Sequence, residues 1–188
     1  MYIFCQQQTI LCKICLIGGR SQSLPPIFLF SHTMKTLLSS LKFIVAALIV
    51  GYVSMLLQSE SMETWYPLLQ KSSLTPPGYV FSLVWGILYI LMGLSAGLVW
   101  SKQKDGVMLL MLFFFVQLFL NLLWSFTFFY LRQPLVAFVV LIALFLAVSA
   151  YVIGCYGYRR IAAWLNVPYM LWLLFAAYLN YAVWRGNS

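Results

Sequence analysis

Three side chains of one apolar segment, Gln117, Asn121 and Trp124, have the types and the spacing of a binding surface. Separations of four and three residues place them on one face of a helix. Because amides avoid hydrocarbon, this face turns toward the interior of a helix bundle and brings the Trp124 indole with it. A buried indole fits two structures equally, a helix-packing contact and the wall of an aromatic-ligand cavity.

Two further tryptophans lie deep in apolar segments. Trp and Tyr concentrate at the membrane–water interface, which accounts for Trp65, Tyr79 and Trp100 near segment ends. Trp85 lies about two turns into its segment and Trp172 lies near the middle of another. We expect these two indoles to serve either helix packing or a ligand cavity.

Acid–base and metal chemistry have little support in the sequence. Glu60 and Glu63 could act as general acid and base, but a solvated loop explains them better. Cys12 and Cys15 resemble half of a zinc or redox site, and the sequence has a single histidine, His32, and no second ligand pair. We therefore expect no metal site and no required cofactor.

The composition is that of a membrane protein. Hydrophobic residues make up 64% of the 188 residues and charged residues 7%, against about 45–50% and about 25% in soluble domains. The net charge of +8 comes from Lys and Arg between apolar blocks, a pattern that sets membrane orientation rather than nucleic-acid binding.

Five segments are long enough to cross a bilayer as helices of about 20 residues. The expected spans are residues 37–57, 79–100, 107–131, 135–158 and 161–184. We predict an all-α membrane protein, a bundle of five transmembrane helices. The link over residues 58–78 is the one long connection, and we expect it to act as a lid.

Positive charges predict the orientation. The N-terminal side of the spans carries eight Lys or Arg residues and the opposite side carries three, Lys71, Arg132 and Arg185. This asymmetry places the N-terminus inside. No intramembrane acid or base is present to relay protons, which argues against proton-coupled transport.

Residues 1–33 differ from the rest of the chain. They contain no continuous span, and Pro25-Pro26 would interrupt a helix. The sequence from Met34 onward begins as membrane proteins often do. We interpret residues 1–33 as an N-terminal extension, disordered or preceding the true start, and residues 34–188 as the membrane domain.

Small residues predict a close helix contact in the second span. Gly93 and Gly97 form a small-xxx-small pair, which lets two helices approach closely. An internal contact is slightly favoured, and a homodimer seam is left open.

A sterol-contact pattern ends the fifth span. Leu179, Tyr181 and Arg185 match the loose L/V-x-Y-x-K/R pattern proposed for cholesterol, which is a weak signal. The expected lipid partners therefore include a sterol.

Three stretches in order, "WYPLLQKSSLTPPGYVFSLVWGILYILMG", "QLFLNLLWSFTFFYLRQP" and "PYMLWLLFAAYLNYAVWR", resemble signatures of the TspO/MBR family. This family includes the tryptophan-rich sensory proteins of bacteria and the mitochondrial translocator protein, or peripheral benzodiazepine receptor. The resemblance covers residues 37–185. It implies a five-helix bundle whose cavity is closed by the loop between the first two helices.

The resemblance also implies ligands and site residues. Family members bind porphyrins and haem, and animal members bind cholesterol and benzodiazepine-type drugs. The corresponding pocket residues in this sequence are Tyr66, Trp85, Asn121, Trp124, Trp172 and Ala176. Trp85 and Trp172 match the tryptophans tied to porphyrin breakdown, and Tyr181 and Arg185 fall at the cholesterol-motif positions.

The sequence departs from the family pattern at three positions. Ser72 stands where a Pro usually follows Lys71, which implies a looser lid. Phe126 replaces the Pro after Trp124-Ser125, which removes a helix kink, and Val140 lies near the place of an acidic residue.

Three functions follow as expectations. The first is a sensor or scavenger that binds protoporphyrin IX or haem, the expected ligands, in a Trp-lined cavity. The second is an enzyme that degrades porphyrin in light and oxygen, with Trp85 and Trp172 as catalytic residues. The third is a transporter of tetrapyrroles or sterol-like lipids. We expect a bacterial plasma membrane, or the mitochondrial outer membrane if the source is eukaryotic.

Overall fold

The computed structural model describes residues 26–102 and 105–188. The chain divides into two compact units, Met1–Thr33 and Met34–Ser188. Residues 1–25, with Cys5, Cys12 and Cys15, lie outside the described residues, as does the side chain of His32. The interpretation of residues 1–33 as an extension therefore stays a prediction.

The described residues form a helical membrane bundle, which confirms the predicted fold class. Five helical segments are long and apolar enough to cross a membrane: Thr36–Thr64, Gly78–Trp100, Val107–Tyr130, Pro134–Tyr158 and Arg160–Gly186. The helices are α1 (Pro26–Thr64), α2 (Gly78–Trp100), α3 (Val107–Ser125), α4 (Pro134–Tyr158), α5 (Arg160–Trp164) and α6 (Val167–Gly186). Such helices satisfy their own backbone hydrogen bonds, as the hydrocarbon core requires.

The helix α1 continues beyond the end of the predicted first span, so the long link is shorter than expected. It ends at Thr64 rather than near residue 57, and a 3-10 turn, Tyr66–Leu68, follows at once. Polar residues end the apolar stretch here without ending the helix, and at its last residue Thr64 Oγ1 donates to the Glu60 carbonyl at 2.8 Å. The connection to α2 therefore spans residues 65–77, and its role as a lid stays a prediction.

The glycine pair of α2 lies at an internal contact. A Cβ atom on Gly93 would overlap the backbone of Ile44, and one on Gly97 would overlap the backbone of Ser40. The α1 and α2 backbones therefore touch along this turn, as small residues allow. Elsewhere α1 packs loosely, since 17% of the residues in its most apolar stretch are buried, against 33–44% in the other four spans.

The predicted fifth span is two helices in the structure. The helix α5 ends at Trp164, and α6 starts at Val167 with Pro168 in its first turn. The proline lacks the N–H that would continue the helix. Asn166 stabilises the break, because its Nδ2 donates to the Ala162 carbonyl at 2.9 Å and to Ser95 Oγ on α2 at 2.8 Å.

The third span ends in a π-helical turn, Phe126–Tyr130, directly after α3. The Leu131 N–H donates to the Phe126 carbonyl at 2.9 Å, and Thr127 Oγ1 donates to the Leu123 and Trp124 carbonyls. The helix thus widens at Phe126, directly after Trp124 and Ser125. Such π turns are frequent at functional sites, and this one turns Phe129 toward the interior.

Candidate ligand-binding cavity

A cavity of about 310 Å³ lies between α1, the 65–77 loop, α2 and the end of α3. It begins beyond the α1–α2 backbone contact and extends toward the loop. Four of the six predicted pocket residues, Tyr66, Trp85, Asn121 and Trp124, line it. The cavity is large enough for a drug-sized ligand, at the lower end of the usual range of about 300–1,000 Å³.

Stacked aromatic rings form one wall of the cavity. The Trp85 ring lies 5.6 Å from the Tyr89 ring at 29°, and 6.2 Å from the Trp124 ring at 31°. The Tyr169 ring meets Trp85 edge-on at 6.0 Å from behind the wall. Near-parallel indole and phenol faces are suited to a flat, conjugated ligand, because offset stacking is the preferred contact between such rings.

The amide of Asn121 makes one hydrogen bond through each of its polar atoms. Its Oδ1 accepts a hydrogen bond from the Tyr89 hydroxyl at 2.8 Å, and its Nδ2 donates to the Tyr169 hydroxyl at 3.3 Å. The residue is 1% exposed. Asn121 therefore links Tyr89 on the wall to Tyr169 behind it, and its direct contribution to a ligand contact stays a prediction.

The Trp124 indole is held in place by a second amide. Its Nε1 donates to Asn180 Oδ1 at 3.1 Å, and Asn180 Nδ2 in turn donates to the Pro134 carbonyl at 2.7 Å. Gln117 shares the helix face of Trp124 but does not line the cavity. It is fully buried, and neither of its amide atoms has a hydrogen-bond partner among the residues that the structure describes.

Tyr66 lines the loop end of the cavity, and Lys71 lies beside it without lining the cavity. Lys71 Nζ donates to the Tyr66 carbonyl at 3.0 Å and lies 4.6 Å from the centre of its ring. Burial raises the pKa of the Tyr66 phenol above its ordinary value, so the phenol keeps its proton. A neutral donor and a nearby ammonium group can meet the acidic edge of a ligand.

The 65–77 loop is attached to the end of α6. The Gln70 N–H donates to Asn187 Oδ1 at 3.0 Å, and Asn187 Nδ2 donates back to the Gln70 carbonyl at 3.0 Å. Ser72, where the family usually has proline, places its hydroxyl 3.1 Å from the Tyr178 hydroxyl. These three contacts attach the loop to α6 and to the residue that follows it.

Trp172 and Ala176 do not line the cavity. Trp172 lines a shallow groove on another face of α2, with Val84, Leu88 and Phe175. Ala176 is buried in a packing cluster with Trp124 and Phe128. The structure thus separates the two tryptophans that the family resemblance ties to porphyrin breakdown.

The three residues of the sterol motif, Leu179, Tyr181 and Arg185, differ in their exposure. Leu179 is buried in the bundle, whereas Tyr181 and Arg185 are exposed one turn apart on α6. The Tyr181 ring contacts Phe138 at 5.9 Å and Trp184 at 5.7 Å. A sterol would meet an aromatic face on the outside of the bundle here, and this contact stays a prediction.

Several cavity residues were missed by the sequence analysis, above all Ser54, Gln58 and Phe81. Ser54 is buried and lines the cavity from α1. Gly51, Ser54 and Gln58 are spaced at three and four residues, which is a helical face that an amphipathic search of α1 could have found. Within residues 26–102 and 105–188, no three potential metal-ligating side chains come together.

The fold and the cavity define a class of protein, a five-helix membrane bundle with an aromatic pocket between its first three long helices. The sequence profile of the TspO/MBR family matches residues 43–185. The chain therefore belongs to the TspO/MBR family.

Curated relatives support this assignment. The chain is 36% identical over 145 residues to the tryptophan-rich protein TspO of Archaeoglobus fulgidus, covering 77% of this chain and 94% of the relative. It is 32% identical over 157 residues to the TspO of Chlorobaculum tepidum, covering 81% and 98%. It is 41% identical over 127 residues to the translocator protein of Homo sapiens, covering 65% and 75%.

Proposed function

We propose that this membrane protein binds porphyrin-type tetrapyrroles in the cavity, as a sensor or scavenger. The observation that carries the proposal is a wall of aromatic rings on an apolar cavity, where Trp85 stacks on Tyr89 and lies tilted by 31° to Trp124. A planar macrocycle gains most from such a wall, because stacking adds to the burial of its apolar surface.

The charge at the loop end fits the polar edge of the same ligand. Protoporphyrin IX carries two carboxylates on one side of an otherwise apolar ring. Lys71 lies beside Tyr66 at the loop end of the cavity and can neutralise one of them. The ring would enter between α1 and α2, with its carboxylates toward the aqueous loop.

The test is a titration of protein in lipid nanodiscs with protoporphyrin IX, monitored by quenching of tryptophan fluorescence. Trp85→Phe should weaken binding about threefold to tenfold, because a smaller ring replaces the indole in the stack. Trp164→Phe is the matched control, since Trp164 is 64% exposed on α5 and lies outside the cavity. Equal affinities of the two variants would refute the proposed site.

A second candidate is degradation of bound porphyrin in light and oxygen. Two electron-rich indoles, Trp85 and Trp124, face the same cavity 6.2 Å apart and would adjoin the excited macrocycle. Loss of the porphyrin absorption band under light and oxygen, but not in darkness, is the expected result. Bleaching at the same rate with Trp85→Phe would contradict a role for that indole.

Transport is the weaker alternative, although the human relative is named a translocator protein. The backbone contact of Gly93 and Gly97 with α1 closes one end of the cavity, so a path across the membrane would have to separate these helices. Sealed liposomes that contain the protein should bind protoporphyrin IX without net flux. Protein-dependent accumulation in their lumen would establish transport instead.

We also infer that the N-terminus lies inside, in a bacterial plasma membrane. The loop end of the bundle carries Lys71, Arg132 and Arg185, and more Lys and Arg lie at the opposite end. A reporter fused after Ser188 should be active only on the outer side. Activity of the same fusion in the cytoplasm would reverse the orientation.

A further inference from the structure

The helix α2 separates two apolar spaces. Its residues Trp85 and Tyr89 line the cavity, whereas Val84 and Leu88 line the groove that contains Trp172. These positions alternate at helical spacing, so the two spaces lie on adjacent faces of one helix.

Phe81 stands at the boundary between these two faces. It precedes Trp85 by four residues and Val84 by three, and its side chain lines the cavity. The Phe81 ring also contacts the Trp172 ring edge-on, with centres 5.5 Å apart at 72°. Phe81 therefore contacts both the cavity and Trp172.

Trp172 is the one predicted pocket tryptophan that the cavity does not reach. Its Nε1 is buried and has no hydrogen-bond partner among the described residues, which is costly for a donor in an apolar setting. An acceptor on a ligand that extended past Phe81 would satisfy it. The cavity itself, at about 310 Å³, is small for a tetrapyrrole with its side chains.

We infer that Phe81 sets the size of the ligand that the cavity accepts, by screening Trp172 from it. Phe81 lies in the first turn of α2, after Pro77, and is half-buried. On this inference, a change of the Phe81 rotamer joins the cavity to the groove. This inference rests on the proposed binding of tetrapyrroles and assigns selection among them to one side chain.

The test compares protoporphyrin IX affinity, in nanodiscs, of the wild type, Phe81→Ala and the control Phe175→Ala. Phe175 meets the Trp172 ring at 5.5 Å as well, but it lines only the groove. Phe81→Ala should bind about threefold to tenfold more tightly, because the macrocycle gains the Trp172 face. Phe175→Ala should stay within about twofold of the wild type, and Phe81→Trp should bind more weakly because it fills the cavity.

A double variant identifies the source of the gain. If Trp172 is the group that Phe81 screens, Trp172→Phe should remove the gain in the Phe81→Ala background and change the wild type little. A gain that persists in the double variant, or Phe81→Ala equal to the wild type, overturns the inference while leaving the proposed function intact.

Absence of binding separates the two claims further. Binding by Phe81→Ala but not by the wild type would mean that Phe81 excludes protoporphyrin IX completely, which supports the inference. No binding by either protein, when circular dichroism and size-exclusion chromatography show both to be folded, overturns the proposed function and the inference with it.

Discussion

Substituting Gly93 by alanine should force α1 away from α2. The added Cβ would fall inside the backbone of Ile44, which is a rigid neighbour rather than the end of a flexible side chain. Overpacking of this kind costs about 1–3 kcal/mol. Alanine also gains about 0.5–1 kcal/mol over glycine within a helix. The net loss of unfolding free energy against the wild type should therefore be roughly 0–2.5 kcal/mol by the same estimates.

The matched control is Gly86→Ala on the same helix, because a Cβ at Gly86 meets nothing within 4 Å. The assay is reversible unfolding in mixed micelles, monitored by circular dichroism, at two protein concentrations. Gly93→Ala should be less stable than the wild type and Gly86→Ala at least as stable. If Gly93→Ala were as stable as Gly86→Ala, the assignment of this contact to α1 would fail.

The same experiment separates an internal contact from a dimer seam. At an internal contact the loss does not depend on protein concentration, because both partners belong to one chain. At a seam, the stability of the wild type would rise with concentration and Gly93→Ala would shift the protein toward monomer. Light scattering coupled to size-exclusion chromatography measures that shift directly.

Three further outcomes are expected. Trp124→Phe removes the hydrogen bond to Asn180 and should cost about 0.6–1.7 kcal/mol in the same unfolding assay, whereas no loss would mean that the bond is not formed in the membrane. Asn187→Ala releases the 65–77 loop, so trypsin should cut after Lys71 several-fold faster, and unchanged cleavage would show that Asn187 does not hold the loop. The raised pKa of Tyr66 gives stability that is present below about pH 10 and lost above it. Thermal stability of the wild type should therefore fall relative to Tyr66→Phe only above that pH, and a falling difference near neutral pH would contradict a raised pKa.

Much of the fold could be predicted because a membrane span needs a long apolar run, which is a property of the sequence alone. The predicted starts and ends of the second, third and fourth spans lie within one residue of the helical spans in the structure. The end of α1 was missed, because the polar residues near Glu60 end the apolar run but not the helix. The break before α6 was missed because Asn166 stabilises it through Ser95, a residue of another helix.

The sequence predicted the kind of site, an aromatic ligand cavity, but only some of the residues that line it. Tyr66, Trp85, Asn121 and Trp124 meet at one cavity. Helical spacing pointed Asn121 and Trp124 inward, whereas the family resemblance predicted Tyr66 and Trp85 as pocket residues. Trp172 has an equally deep position in the sequence, yet Phe81 separates it from the cavity. The position of a residue along a helix gives its depth in the membrane and the side of the helix on which it lies. It does not say which residue of the bundle lies between two side chains.

The sequence by itself determined that this chain is an integral membrane protein, that it has five transmembrane segments, and that it belongs to the TspO/MBR family. Those properties depend on composition, run length and ordered motifs, each of which is local. The tertiary structure alone decided that Asn121 holds Tyr89 and Tyr169, and that Gly93 faces α1. Hydrogen bonds and backbone contacts between distant segments depend on how helices rotate and tilt against one another, which no single segment encodes.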